Sequence, residues 1–445
     1  MKLENLTFQG GTHVKEHKEL SCGSGIVTMP APEKVSIALS QHIGAPGKLL
    51  VKKGDHVNMG QVIAEAGGYV SAPIHSSVSG EVEAIEDVLM SNGRKIPSVI
   101  IKNDGQDTLG YEQVDRSGED LSAQEIVKYI QEAGIVGMGG AGFPTHVKLT
   151  PPEKSPVDTI IINGAECEPY LTCDDTTMRT NPEKIVQGLR LEMKATGAKK
   201  GFIAIEDNKP QAIEAVDKAV ENDPDIAVAV MKTKYPQGDE KRVINAVTGR
   251  EVPAGGLPAD VGCVVSNVGT ACAVVDAVYY GKPLYERLVT VTGHAVNHPQ
   301  NVLVRFGTRI KDVVEFTGGY ASNPGKIIFG GPMMGVSQYS DLATTDKRNN
   351  GILVLTEEEA MPQRVDPCIR CGRCVEACPV HLESLYLATA SRKENWEIAE
   401  KFHVDQCIEC GCCSYVCPAK RPLTEWIRFG KRTIMARKRA AAKKN

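Results

Sequence analysis

Nine of the fourteen cysteines fall between residues 362 and 426, and eight of those nine stand on two identical rulers. Cys368-x2-Cys371-x2-Cys374-x3-Cys378-Pro379 recurs 39 residues later as Cys407-x2-Cys410-x2-Cys413-x3-Cys417-Pro418. Three thiolates at x2 intervals let one tight loop wrap three corners of an iron-sulfur cube, while the fourth ligand arrives from elsewhere in the chain. Tetrahedral zinc needs only two cysteine pairs, which leaves the third evenly spaced cysteine and the Cys-Pro ends without a reason. The chemistry this spacing supports is single-electron transfer. Cys412 fits neither ruler and reads as a buried free thiol, and Cys22, Cys167, Cys173, Cys263 and Cys272 show no ligand spacing.

In two-cluster ferredoxins the fourth cysteine of each run serves the other cluster. By that rule one [4Fe-4S] cluster takes Cys368, Cys371, Cys374 and Cys417, and the other takes Cys407, Cys410, Cys413 and Cys378. Two adjacent clusters form a relay, which needs a donor and an acceptor.

A second chemical signal lies at Gly137-Met138-Gly139-Gly140-Ala141-Gly142. It satisfies G-x-G-x-x-G but follows an expected helix rather than a strand, so the usual dinucleotide-binding context is missing. Phe143-Pro144-Thr145-His146-Val147-Lys148 follows, then Ile162-Asn163-Gly164-Ala165-Glu166-Cys167-Glu168-Pro169, Tyr235-Pro236-Gln237-Gly238-Asp239-Glu240 and Ser266-Asn267-Val268-Gly269-Thr270. These four stretches, in this order, resemble the flavin- and NADH-binding flavoprotein subunit of respiratory complex I. The resemblance implies FMN and NAD(H) as cofactors of a Rossmann-like flavoprotein domain. It implies cofactor contacts from Gly137, Gly139, Gly140, Gly142, Phe143, Lys148, Asn163, Glu166, Tyr235, Gly238, Asp239, Glu240, Asn267 and Thr270, with Glu166, Glu168 and Glu240 as catalytic acids. Backbone N–H groups of a Gly-rich loop approach a phosphate closely, and Lys148 adds positive charge. Met138, Ala165 and Asp239 stand where that family usually has Arg, Asp and Glu.

The elements that must carry these residues form several units, since 445 residues with 43 Gly and 25 Pro exceed one compact core. Residues 29–110 read as short strands between turns. Their two halves resemble a biotinyl/lipoyl-type barrel-sandwich domain, but the hairpin Gly67-Gly68-Tyr69-Val70-Ser71 offers no lysine to modify. Residues 118–283 read as a layered α/β domain. Ser122 and Glu125 have capping-box spacing, Ile126, Ile130 and Ala133 share a face, and Gly134 stops the helix. Strands are expected at Thr159 to Asn163, Phe202 to Glu206, Ile226 to Met231 and Cys263 to Ser266, with a helix opened by Pro210. Residues 284–355 read as a small β-rich, β-grasp-like (soluble-ligand-binding) domain, and 360–426 as the two-cluster block around a helix from Leu382 to Phe402. An N-terminal arm, 1–28, and a basic tail, 427–445, complete the division. The tail's residues 428–445 hold eight Lys or Arg and no acid.

The fold class is thus multidomain, combining α/β and small β domains. Its order of units, together with the opening Gly10-Gly11-Thr12-His13-Val14-Lys15-Glu16-His17-Lys18, resembles the C-subunit family of Rnf ion-translocating electron-transport complexes over nearly the whole chain. That resemblance implies a peripheral subunit on the cytoplasmic face of a bacterial membrane. There it exchanges hydride between NAD(H) and FMN and relays single electrons to or from other subunits, with ferredoxin an indirect partner. A cobalamin reductase of the propanediol-utilisation type resembles the same layout, and a flavin-free iron-sulfur scaffold is a second alternative. Composition removes other classes. Aromatics are 5% of the chain, too few for a stacking platform for single-stranded nucleic acid. The polar N-terminus lacks a signal-peptide pattern, so reduced, metal-binding thiols are expected rather than disulfides. The most apolar run, Asp260 to Asp276, is too short to cross a bilayer. His13 and His17, four apart after a Gly pair, read as structural or partner contacts rather than metal ligands.

Overall fold

The computed structural model describes residues 2–321 and 323–442. At its centre is a five-stranded, wholly parallel sheet in the order Lys2–Leu6, Ile226–Met231, Lys200–Glu206, Thr159–Gly164, Cys263–Asn267. A parallel sheet is covered on both faces, so its strands read as continuous apolar runs. Ile160 and Ile162 point into a core with Leu189 and Val274 from helices Pro182–Thr196 and Val268–Tyr280. Ile161 points the other way, to Val243 and Ile244 of helix Glu240–Thr248. The expected strands are present, Ile226–Met231 with the expected ends and the other three longer by one or two residues, and the fifth comes from the N-terminal arm.

Helix Ala123–Glu132 carries the capping box between Ser122 and Glu125, and Ile126 and Ile130 are buried. Gly134 ends this segment at φ +67, where a Cβ would meet the Pro73 carbonyl at 2.5 Å. Pro210 opens helix Pro210–Ala219.

A six-stranded mixed sheet runs Val336–Gln338, Pro324–Phe329, Gly351–Thr356, Glu286–Thr292, Gln300–Arg305, Ile26–Thr28. Helix Ile310–Phe316 covers it through Val313 and Val314. Its last strand is again from the arm, so residues 2–28 tie the two large sheets together. The barrel-sandwich unit has a four-stranded and a three-stranded sheet around Val35, Ile37, Ile63, Ile74, Val82 and Ile101. Its hairpin turn is closed by Ser71, whose Oγ accepts from Gly67 N and donates to Ala45 O, both at 2.9 Å.

The cysteine-rich block differs from expectation in two places. The helix expected from Leu382 to Phe402 is two, Ser384–Arg392 and Trp396–Lys401. Glu394 breaks it at φ +56, and the Asn395 side chain caps the second by accepting from Ile398 N. The boundary expected after residue 426 falls inside helix Leu423–Ala442. Leu423, Ile427 and Ile434 of that helix pack on Leu387 and Ala388. Arg428 reaches Glu409 at 2.6 Å, Lys431 the Cys407 carbonyl at 2.6 Å and Lys438 Glu400 at 3.0 Å. Much of the basic tail is therefore a docked helix, and its residues 443–445 lie outside the described residues. Among the described residues no helix is long and apolar enough to cross a membrane.

Gly188 lets helix Pro182–Thr196 lie directly on Val268–Tyr280: a Cβ there would collide with the Ala271 backbone. Gly188→Val is expected to overpack this contact at a cost of about 1–3 kcal/mol, seen as earlier thermal unfolding of the parallel-sheet unit by circular dichroism. An unchanged midpoint would refute the close-packing argument.

Candidate functional site

Ligands of parallel sheets sit beyond the carboxyl ends of the strands, and here three loops and the Gly-rich turn converge on that edge. Gly137 N donates to Phe143 O at 2.9 Å and closes the turn, while Gly142 adopts φ +73. Met138 N donates to Thr270 Oγ1 at 2.9 Å, and Asn267 lies against Gly139, where a Cβ would meet its side chain at 3.0 Å. Gly139, Gly140 and Ala141 form an exposed tip, and the space beside Gly140 is open. Such a cradle fits a phosphate.

The side chains around the cradle form one network. Lys148, in helix Thr145–Lys148, donates to Glu240 Oε1 at 2.8 Å and to Val265 O at 2.9 Å. Asn163 donates to Gly238 O and accepts from Ala165 N. Asp239 caps helix Glu240–Thr248 by accepting from Arg242 N, and burial raises its carboxyl. Asn267 caps the next helix by accepting from Gly269 N at 2.9 Å, and its Nδ2 donates to Asp174 Oδ2 at 2.8 Å. Glu166, at φ +46, accepts from the N–H groups of Asp174 and Asp175 at 2.7 and 3.3 Å. A left-handed non-Gly residue persists only where its surroundings impose it. Here Lys18 imposes it, its ammonium donating to the carbonyls of Glu166, Glu168 and Leu171 at 2.8, 3.2 and 2.6 Å.

The structure thus gathers Gly137, Gly139, Gly140, Gly142, Lys148, Asn163, Glu166, Gly238, Asp239, Glu240, Asn267 and Thr270 on one rim. Phe143 closes the Gly-rich turn through its carbonyl. Two expected site residues are placed elsewhere. Glu168 turns its carboxylate to the N–H groups of Met333 and Met334 at 3.1 and 2.7 Å, and burial pushes it up to about 7. Tyr235 is 1% exposed and packs on Cys410, Cys412 and Ala377. Both serve the joint between units rather than an open rim.

Residue types and spacing do not disclose Lys18, Asp174, Arg287 and Glu192. The segment holding Lys18 is conspicuous for its Gly pair, but nothing in the spacing ties its lysine to a loop about 150 residues away. Arg287 is wholly buried and donates to Met138 O and Lys347 O at 3.1 and 2.6 Å, supporting the Gly-rich turn from the next sheet. Glu166, Cys173 and Asp174 bring potential ligand atoms within 4.8 Å of one another. Lys18, 3.8 Å from Glu166, already supplies the positive charge there, and backbone N–H groups and Asn267 occupy the carboxylates. Burial and the Glu166 charge push Asp174 up to about 7. His13 and His17 share no helix; His17 stacks on Tyr170 with centroids 4.6 Å apart.

The eight ruler cysteines line two small cavities. Cys368, Cys371, Cys374 and Cys417 line the first, and Cys378, Cys407, Cys410 and Cys413 the second. N–H groups approach three of the sulfurs: Arg370 N to Cys368 at 3.4 Å, Glu409 N to Cys407 and Leu382 N to Cys378 at 3.3 Å. Four converging thiols with N–H donors fit a cluster that carries negative charge. The second cavity abuts the parallel-sheet unit. Gly11 N donates to Ala377 O at 3.1 Å, Thr12 N to Tyr235 O at 2.8 Å and Arg242 Nη1 to Pro379 O at 2.8 Å. Cys412 is fully buried in this joint, its thiol 3.7 Å from Tyr235 O.

Family profiles match four stretches of the chain. They are the RnfC barrel sandwich hybrid domain over 6–106, the Nuo51 FMN-binding domain over 130–276, the SLBB domain over 288–337 and a 4Fe-4S dicluster domain over 363–421. The C subunit of the Na(+)-translocating ferredoxin:NAD(+) oxidoreductase complex of Acetobacterium woodii is 48% identical over 99% of both chains. Its proton-translocating counterpart from Clostridium ljungdahlii is 48% identical over 95% of this chain and 93% of its own. The C subunit of the ion-translocating oxidoreductase complex of Rhodobacter capsulatus is 43% identical over 98% and 84%.

Beneath the rim, Glu192 is fully buried; its Oε1 accepts from Ser266 at 2.8 Å and its Oε2 has no partner. Burial pushes its carboxyl from 4.5 up to about 7, against the Ser266 bond and the Lys148 charge. The folded chain holds this proton more tightly than the unfolded one. The contribution to stability is therefore complete below about pH 4.5 and is lost as pH rises through about 7. Glu192→Gln, which keeps an acceptor for Ser266, is expected to be more stable than the wild type at about pH 8 and to flatten the dependence below it. Denaturant titrations at about pH 5 and 8 check this, and parallel behaviour of the two proteins would refute it.

Proposed function

Since the chain belongs to the C-subunit family of ion-translocating ferredoxin:NAD(+) oxidoreductase complexes, we propose that it is their peripheral NAD-linked electron-transfer subunit. In this reading NAD(H) and FMN meet at the rim of the parallel sheet, and single electrons run through two [4Fe-4S] clusters. The parallel-sheet unit is read as Rossmann-like and residues 284–355 as β-grasp-like. The same reading puts the protein on the cytoplasmic face of a bacterial membrane, against the membrane subunits that move the ion.

The Gly137–Gly142 turn and Lys148 would hold the FMN phosphate. Releasing Lys148 from Glu240 frees one cation for the phosphate and one carboxylate for the nicotinamide nucleotide. Asn163, Asn267 and Thr270 keep the loops at their spacing, and Phe143 flanks the cradle. Glu166 is fixed by Lys18 and a helix N-terminus, so its carboxylate is held in place. Bound FMN supplies the exchange between two-electron hydride transfer and one-electron transfer.

The observation that carries this reading is the joint at Tyr235. It presses the Cys378, Cys407, Cys410, Cys413 cavity against the loop that ends in Gly238 and Glu240. The Cys368, Cys371, Cys374, Cys417 set faces outward, with Cys368 and Cys371 exposed. The set with Cys378 is then the inner station next to the flavin, and the set with Cys417 is the outer one.

Anaerobic titration of FMN-loaded protein with NADH should bleach the flavin and then raise cluster signals by electron paramagnetic resonance, with a stronger reductant for any low-potential centre. Protein that binds no FMN and ignores NADH would sink the assignment. The order of stations is tested by two variants. Cys374→Ser should halve the iron from about eight per chain and leave flavin bleaching and inner-cluster reduction intact. Cys413→Ser should also halve the iron, but NADH should then fail to reduce the outer cluster. Equal reduction of the remaining cluster in both variants would reject the order.

A further inference from the structure

The Gly-rich turn carries no charged residue from Gly137 to Gly142, and the rim above it is acidic, with Glu166, Asp239 and Glu240 on its loops. Its cations are already engaged, Lys148 with Glu240 at 2.8 Å and Lys18 with the Glu166 loop. A phosphate seated on the turn therefore draws on positive charge from elsewhere, and the structure holds it underneath. Arg287, in strand Glu286–Thr292 of the six-stranded sheet, is buried and donates to three carbonyls: Lys347 O at 2.6 Å, Met138 O at 3.1 Å and Leu288 O at 3.3 Å. Among the described residues no carboxylate lies within ion-pair distance of it, and the acids that act on it across space are Asp174 and Asp346. Neither is free to neutralise it. Asp346 is committed to Arg348, which donates to it from Nη2 at 2.5 Å and from Nε at 3.3 Å. Asp174 accepts from Asn267, and burial with the Glu166 charge works against its ionisation. Two more cations close the layer. Lys347 donates to Gly134 O at 2.7 Å just before the turn, and Arg348 lies against Gly142, where a Cβ would meet its Cγ at 2.9 Å. Burial pushes Lys347 down to about 7, whereas a guanidinium keeps its charge.

We propose that Arg287 is the charge by which the Gly-rich turn selects a phosphate-bearing flavin, and that it acts through the turn rather than by contact. The inference rests on the reading of the rim as the FMN site. A buried cation held only by carbonyl dipoles is costly until an anion compensates it, and a buried charge is screened less than one on the surface. Arg287 also sets a dipole. In a planar trans peptide the C=O and the next N–H point in opposite directions, so holding the Met138 carbonyl turns the Gly139 N–H away from Arg287. Charge and dipole then favour an anion on the same side of the turn. The preference for FMN over riboflavin is thus decided by the six-stranded sheet as much as by the parallel-sheet unit that carries the turn.

The test uses the full chain with its iron-sulfur centres, stripped of flavin, and two probes that differ only in the phosphate, FMN and riboflavin. Anaerobic titration followed by flavin fluorescence should show that the wild type prefers FMN. Arg287→Gln keeps N–H donors for the carbonyls without the charge. It should weaken FMN binding about tenfold and change riboflavin binding less than about twofold. Arg287→Lys, which keeps the charge, should retain most of the preference. Asp346→Asn removes the carboxylate from the layer and should raise the preference for FMN about threefold, opposite in sign to the effect of damage to the fold. Equal losses of both flavins in Arg287→Gln, a loss of preference in Arg287→Lys as large as in Arg287→Gln, or no rise in Asp346→Asn would each overturn the inference. Wild type that binds FMN and riboflavin equally would reject Arg287 as the selecting charge and leave the flavin site standing. Wild type that binds neither would reject the rim as the flavin site, and the inference with it.

Discussion

The arrangement depends on a backbone seam in which Gly10 and Gly11 pass between the Tyr235 loop and the end of the first cysteine run. Gly10 adopts φ +84 and Gly11 φ +78, and a Cβ would meet Cys378 O at 2.7 Å at the first and Tyr235 O at 2.6 Å at the second. No side chain fits there, so the two units approach at backbone distance, with hydrogen bonds from Gly11 N to Ala377 O and from Thr12 N to Tyr235 O. A relay needs short, fixed gaps between centres, and a seam of main-chain contacts sets that gap more firmly than long side chains would. The same segment continues through Lys18 into the Glu166 loop and through Ile26–Thr28 into the six-stranded sheet. One stretch of fewer than thirty residues therefore registers three units against one another.

Charge in the rim follows from the same registration. Glu166, Asp174 and Asp175 are buried close together, a costly arrangement unless their charge is compensated. Part of the compensation is cationic, from Lys18 at 3.8 Å, and part is dipolar, from the N–H groups that begin helix Cys173–Thr180. What they leave uncompensated shows at Asp174, whose carboxyl burial and the Glu166 charge push up to about 7. Lys18 and the helix N-terminus supply the positive potential that these carboxylates need, and they leave Glu166 oriented.

What was legible in the sequence was local. Ligand spacing in the cysteine runs, the capping box at Ser122, the stop at Gly134 and the unbroken apolar strand at Ile160 to Ile162 all follow from residues within one turn or one strand of each other. The division of Leu382 to Phe402 into two helices was not legible, because Glu394 is an ordinary helix former and only the fold holds it in the left-handed region. Nor was the docking of the basic helix, whose partners Glu409 and Glu400 lie on other elements. The roles of Glu168 and Tyr235 were hidden for a related reason. Their motif places them beside the flavin loops, but which way each side chain turns is decided by Met333, Met334 and Cys412, from two other units.

The two cysteine runs carry the same ruler, and sequence symmetry alone would make their sites equivalent. Packing breaks that equivalence. Cys378 and Cys410 are each less than a tenth exposed, because the Gly10–Gly11 seam, Tyr235 and Met333 cover them, and Cys413 is as buried against Leu387 and Leu423. Cys368 and Cys371 have no such cover. The exchange of the fourth cysteines between the two cavities makes this asymmetry stable. Each cavity borrows one cysteine from the other run, which ties the two loops together, and the block is fixed to the rest of the chain on its inner side. Duplication of a short motif thus yields two unlike sites without any change in the motif: the difference comes from what each copy is packed against.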